Sequence, residues 1–282
     1  MKAIRIIPRL DIKGPNLVKG IHLEGLRVLG RPSDFAKYYY ESGADEIMFM
    51  DVVASLYERN SLHDIISESA KSIFIPITVG GGLRSISDIK EVLRAGADKV
   101  CLNTAAINNP NLIKEATRMF GSSTIVVAIE AIKGNDGKYL AYTDNGREHT
   151  GVDVFEWVKK LDEMRVGEIV LTSVDKEGTG EGFDMELIKG ISSSISVPLI
   201  VHGGPGKKED IPKAFIEGHA DAVAISSILH YHFITTKEMQ ISDQEGNSEF
   251  LKQKRNFHNL EPCSIMDIKQ FLSNQNIICR LQ

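Results

Sequence analysis

The 282-residue chain has no surplus of positive charge: 33 Lys and Arg stand against 38 Asp and Glu, a formal net charge of −5. A protein that grips a nucleic-acid backbone needs basic surface to displace counterions, so nucleic acid is excluded as a partner. No apolar run approaches the roughly 20 residues that span a bilayer, and no membrane association is expected. The opening stretch MKAIRIIPRLD turns charged too soon for a signal peptide and is expected to begin the fold. Cysteine is scarce. Cys101, Cys263 and Cys279 have neither CxxC spacing nor an even count, which excludes a disulfide framework and fits a reducing cytoplasm. Cys101, inside the run VCL, reads as a small hydrophobe. The eight histidines form no ligand cluster, so no metal is expected; His230 and His232 read as a pair at a loop end. A GxGxxG after the first strand is also missing, which argues against an open dinucleotide-binding sheet.

What the chain does have is an internal repeat. Gly80, Gly81, Ala97, Asp98 and Val100 recur 123 positions later as Gly203, Gly204, Ala220, Asp221 and Val223. Asn103-Thr104 falls on Ser226-Ser227 at the same offset, and Asp11 falls near Glu130. Two equivalent halves present two equivalent sites to one ligand.

Short β-rich runs alternate with stretches of helical period. Strands are expected at 4–10, 46–52, 75–79, 99–103, 125–129, 168–172, 197–201 and 222–225. Helices are expected at 33–42, 62–71, 86–95, 110–120, 152–163, 185–193, 209–217 and 264–275. Eight near-continuous apolar strands, each followed by a helix, predict an α/β fold. The expected architecture is a (β/α)8 TIM barrel, one domain over residues 1–282, built of two four-strand halves. An apolar content of 42% and a charged content of 25% suit such a core.

In this architecture the chemistry belongs at the C-terminal strand ends. TVGGGLRS at 78–85 bares backbone N–H groups just before a helix, and HGGPGKKED at 202–210 repeats the device in the second half. Gly81, Gly82, Asn103 and Thr104 form one expected phosphate site. Gly178, His202, Gly203, Gly204, Ser226 and Ser227 form the other. The plainer alternative is that these glycines only make tight turns. Asp11 and Glu130 end strands on opposite sides of the mouth, where paired carboxylates suit acid and base roles; a structural ion pair with Lys19, Lys13 or Arg9 is the alternative.

A third set lies at the other end. Alternation puts Arg5, Ile7, Arg9 and Asp11 on one strand face, with Arg5 about 20 Å below Asp11. Glu46, Lys99 and Glu168 open strands at that level. The four would form a charged ring, either a plug closing the floor or a gate for something entering from below.

IIPRLDIKG…LVKG, ADEIMFMD, IPITVGGGLRS, AGADKVCLNTAA, GSSTIVVAIEA and GEIVLTSVDKEGT together resemble the cyclase subunit of imidazole glycerol phosphate synthase. The resemblance runs from Ile4 to about His230 and resumes in the last helix. It implies a (β/α)8 enzyme without a cofactor that receives ammonia from a separate glutaminase subunit docked beneath the barrel. Ammonia would split a bisphosphorylated formimino-aminoimidazole carboxamide ribonucleotide into imidazole glycerol phosphate and the aminoimidazole carboxamide ribotide. It further implies that Arg5, Glu46, Lys99 and Glu168 are gate residues and Asp98 meets the glutaminase. Asp11 and Glu130 would be catalytic, and Lys19 would be a loop residue closing on substrate.

The chain also departs from the family. The second catalytic aspartate is Glu130, a further mouth aspartate is Glu177, the small residue two before Asp11 is Arg9, and the usual Ser before the second Gly-Gly is His202. Arg9 needs a buried carboxylate partner, with Glu130 the expected one. Residues 233–262 form a polar insertion, with a short helical patch near 248–256, that reads as a surface loop, a lid or a substrate wall. Two further readings follow from these changes: a paralogue supplying ammonia for sugar amidation in surface-glycan assembly, or a non-catalytic scaffold for the glutaminase.

Overall fold

The computed structural model describes residues 3–54, 62–236 and 259–281. The expected helical patch at 248–256, and most of the 233–262 segment, lie outside the described residues.

Eight parallel strands close on themselves. In chain order they are β1 (Arg5–Lys13), β4 (Ile47–Asp51), β5 (Ile77–Gly80), β6 (Lys99–Leu102), β7 (Ile125–Lys133), β10 (Glu168–Ser173), β11 (Leu199–His202) and β12 (Ala222–Ile225). Each pairs with the next, β7 with β10 included, and β12 returns to β1 through Arg5↔Ala222 to Pro8↔Ile225. The chain is therefore a (β/α)8 TIM barrel, with every expected strand in place.

The outer helices are α1 (Pro32–Glu41), α2 (His63–Ser69), α3 (Ile86–Ala95), α4 (Thr104–Asn108), α5 (Pro110–Phe120), α6 (Val154–Glu163), α7 (Met185–Ser192), α8 (Ile211–Ile216), α9 (Ser227–Thr236) and α10 (Ile265–Asn274). Helix α3 shows why the sequence stops and starts where it does. Ser85 and Asp88 form a reciprocal capping box, and Gly96 ends the helix in the left-handed region at φ 119°. Helix α10 repeats the box with Ser264 and Asp267.

The core has two layers. One packs helices on the barrel wall; the other fills the barrel axis with Ile7, Met48, Cys101, Val126, Ala128, Val170, Ile200, Ala222 and Ala224. Cys101 is a buried axial residue, and burial pushes its thiol up to about 12, so it is a packing group.

Two antiparallel hairpins went unpredicted. β2 (Asn16–Ile21) and β3 (Glu24–Gly30) follow β1, while β8 (Tyr139–Thr143) and β9 (Glu148–Asp153) follow β7. Strands β1 and β7 are nine residues each, against four to six for the other barrel strands, because both run on beyond the barrel into these hairpins. Helices α4 and α9 were also unpredicted, and α9 corrects one expectation. His230 and His232 sit within that helix, not at a loop end. His230 is buried, its Nδ1 lies 2.6 Å from the Tyr39 hydroxyl, and burial lowers its pKa to about 3. It is a neutral core residue.

Candidate active site

Asp11 and Glu130 occupy twofold-related positions where a barrel strand passes into its hairpin. Asp11 pairs with Met50 on one side and Val18 on the other; Glu130 pairs with Thr172 and Tyr142. Both acids are buried. They differ in their partners. Arg9 Nε donates to Asp11 Oδ1 at 2.9 Å, so the cation at position 9 is matched by Asp11 and not, as expected, by Glu130. Residues two apart on a strand share a face, which makes this local pair the shorter reach. Among the described residues, Glu130 accepts only a backbone N–H, from Gly146 at 2.8 Å. Burial pushes its carboxyl up to about 7, against the opposing pull of Arg9 and the Gly146 N–H.

Arg9 is 2% exposed and reaches across the axis. Its Nη1 donates to Thr172 Oγ1 and to His202 Nδ1, both at 3.2 Å. A guanidinium can only donate, so His202 Nδ1 is the acceptor and its proton sits on Nε2. Burial, with the charges of Arg9 and Lys19, holds His202 well below the ordinary histidine pKa and keeps it neutral.

The first-half site opens into a cavity of about 450 Å³. Gly81, Gly82, Asn103 and Thr104 line its rim, and Arg9, Cys101 and Glu130 lie in its depth. Gly81 has φ +101°, and a Cβ there would run into the Asp51 carbonyl, so the turn alone requires glycine. The anion reading therefore rests on what else converges. Arg84, exposed at the rim, adds a cation there, while the Asn103 amide nitrogen donates to the Tyr142 carbonyl at 3.4 Å. Arg84, Asp144 and Asn145 were not singled out from sequence. The last two belong to the unpredicted β8–β9 hairpin, whose Asp144 N–H donates to Thr104 Oγ1 at 3.3 Å.

The second-half residues also converge: Glu177, Gly178, His202, Gly203, Gly204, Ser226 and Ser227 line one pocket. That pocket holds only about 10 Å³. The β2–β3 hairpin packs against its Glu177–Gly178 edge, where a Cβ on Gly178 would run into the Gly20 carbonyl. Lys19 lies in β2, not in an open loop; it is buried and ion-paired with Glu177. Glu177 Oε2 accepts the Leu23 N–H at 3.0 Å. Ser226 Oγ donates to the Arg9 carbonyl at 2.9 Å, so that hydroxyl proton is already committed.

At the floor the four charged residues meet. Arg5 contacts Glu46 at 3.1 Å and Glu168 at 2.8 Å; Lys99 contacts Glu46 at 2.9 Å and Glu168 at 3.1 Å. The Thr78 hydroxyl donates to the remaining Glu46 oxygen. Acids and bases alternate around the axis, and the ring is neutral. Asp98 stands outside it on the exposed underside, where its Oδ2 accepts the Ile77 N–H at 2.8 Å. Asp221 does the same for Leu199 at 2.9 Å, so the repeated aspartate clamps a strand end in both halves. No group of three or more His, Cys, Asp or Glu placed to hold a metal occurs among the described residues. No helix among them is long and apolar enough to cross a membrane.

A closed barrel with paired glycine turns and two buried acids at its mouth, over a charged floor, defines a (β/α)8 enzyme with its candidate site at the C-terminal strand ends. The chain belongs to the histidine biosynthesis protein family, whose pattern matches residues 5–235. It is 55% identical to the imidazole glycerol phosphate synthase subunit HisF of Legionella pneumophila, over 74% of this chain and 99% of that protein. Subunits of the same name from Methanocaldococcus jannaschii and Alkaliphilus metalliredigens are 46% and 41% identical. The first alignment covers 84% of this chain and 94% of its relative, the second 86% and 96%.

Proposed function

We propose that the chain is the cyclase-type subunit of an imidazole glycerol phosphate synthase, a lyase acting in the cytoplasm as one barrel domain with an insertion between α9, which takes in residues 233–236, and α10. Ammonia from a glutaminase partner, docked below in a heterodimer, enters through Arg5, Glu46, Lys99 and Glu168; Asp98 meets that partner. The formimino-aminoimidazole carboxamide ribonucleotide lies across the mouth. One phosphate sits at Gly81, Gly82, Asn103 and Thr104, the other at Gly178, Gly203, Gly204, Ser226 and Ser227. His202 Nε2–H is a donor beside the second phosphate, and Lys19 with Glu177 closes the hairpin over it.

The observation that carries this reading is the division of labour between the two acids. Asp11 is ion-paired with Arg9, whereas Glu130 has a pKa of about 7 and no cation bonded to it among the described residues. A carboxyl poised near neutrality both gives and takes protons efficiently, so Glu130 moves the proton and Asp11 stabilises developing positive charge. The apolar axial layer between floor and mouth suits neutral ammonia, which bulk water would protonate.

The glycan-amidation and scaffold readings are not favoured, since all three relatives carry the histidine-pathway name. The test is turnover of that ribonucleotide by the purified chain with ammonium salt and no partner. Release of imidazole glycerol phosphate is the expected result, and no release with a folded protein would overturn the reading.

A further inference from the structure

Two of the three guanidinium nitrogens of Arg9 are occupied, Nε by Asp11 and Nη1 by Thr172 and His202. These partners come from three strands, β1, β10 and β11, so the plane of the group is fixed from three directions. Nη2 makes no hydrogen bond among the described residues, and it is not among the buried polar atoms left without a partner. It is left facing the cavity that Arg9 lines. The cavity has two cations in its wall. Arg84 is exposed at the rim beside Gly81-Gly82, where a phosphate belongs. Arg9 lies in the depth beside Glu130.

A ligand anchored by phosphates at the rim sends its uncharged centre into the depth of the mouth cavity. There it meets a rigid donor that nothing in the protein satisfies. A guanidinium only donates, so the ligand atom must be an acceptor. A donor that the bound ligand seals from water is also a strong discriminator, because a molecule lacking the acceptor leaves it unpaired.

We infer that Arg9 is a substrate-contacting specificity residue, its Nη2 donating to the carboxamide oxygen on the imidazole ring while Asp11 and Glu130 flank the reacting atoms. This deepens the proposed function and rests on it. Arg9 thus has two edges with two duties, one holding Asp11 and one reading the substrate.

The test is equilibrium binding by titration calorimetry of two product-type ligands. These are the aminoimidazole ribotide that carries the carboxamide and the same ribotide without it. The native chain should favour the carboxamide compound by about tenfold or more, as expected for one buried hydrogen bond to a charged donor. In Arg9→Met that preference should fall below about threefold, and Arg9→Lys should restore part of it. Thermal melts establish that each variant is folded. Equal affinity of the native chain for both ligands overturns the proposal without the variants, as does a preference that survives intact in folded Arg9→Met. Failure of the native chain to bind either ribotide overturns the proposed function itself, and this inference with it.

Discussion

Arg9 and Asp11, two residues apart on one strand, form a buried ion pair at 2.9 Å in the mouth of the barrel, both about 3% exposed at the side chain. Removing one partner of such a pair strands the other charge in a poorly solvated site. Arg9→Met should therefore lower the unfolding free energy by about 3 kcal/mol in urea titrations. Adding Asp11→Asn to it should recover most of that loss. A double variant as unstable as the single one would show that the two charges are not coupled.

Glu130 should make stability depend on pH in a definite direction. Its folded pKa of about 7 lies above the ordinary 4.5, so the folded state binds the proton more tightly. Its favourable contribution is complete below about 4.5 and is lost as pH rises towards 7. Glu130→Gln removes that titration. The variant should match the native chain near pH 4 and exceed it by up to about 3 kcal/mol at neutral pH. Stability curves taken at several pH values read this directly, and a difference independent of pH would refute the assignment.

The floor ring makes a prediction about the two nitrogen sources. Lys99→Met breaks its contacts with both Glu46 and Glu168 and leaves two acids against Arg5. In the complex with the glutaminase, glutamine-dependent turnover should fall about tenfold, while turnover with ammonium salt should stay within about twofold. Equal losses with both sources would mean that the ring supports the fold alone.

Glu177 holds the β2–β3 hairpin through Lys19 and the Leu23 N–H. Hydrogen bonds to charged groups contribute about 1.5–3 kcal/mol, so Glu177→Gln should speed amide hydrogen exchange across residues 16–30 by roughly tenfold or more. Exchange elsewhere in the barrel should change little. Unchanged protection of the hairpin would remove Glu177 as its anchor.

Local signals made much of this legible. Apolar runs of four to six residues bounded by turn residues marked the barrel strands, and the repeat marked the twofold axis. Strict alternation along β1 placed Arg5 and Asp11 on one face, at opposite ends of it. The β2–β3 hairpin escaped for a physical reason. Its turn residues, His22 and Leu23, both have positive φ (54° and 62°), where glycine or asparagine is the usual signal. That conformation is held from outside: the His22 N–H donates to the Glu177 carbonyl at 2.9 Å, and the Leu23 N–H to its carboxylate. Nothing within residues 16–30 announces it.

The sequence by itself determined the barrel, its two halves and the members of each charged set, because these depend on periodicity and on residue types at strand ends. Who pairs with whom was decided only by the tertiary structure. Arg9 could reach several acids from its place on β1. It took Asp11 with one edge, Thr172 and His202 with another, and left Glu130 protonatable, because strands far apart in the chain converge within hydrogen-bonding distance only once the barrel has closed.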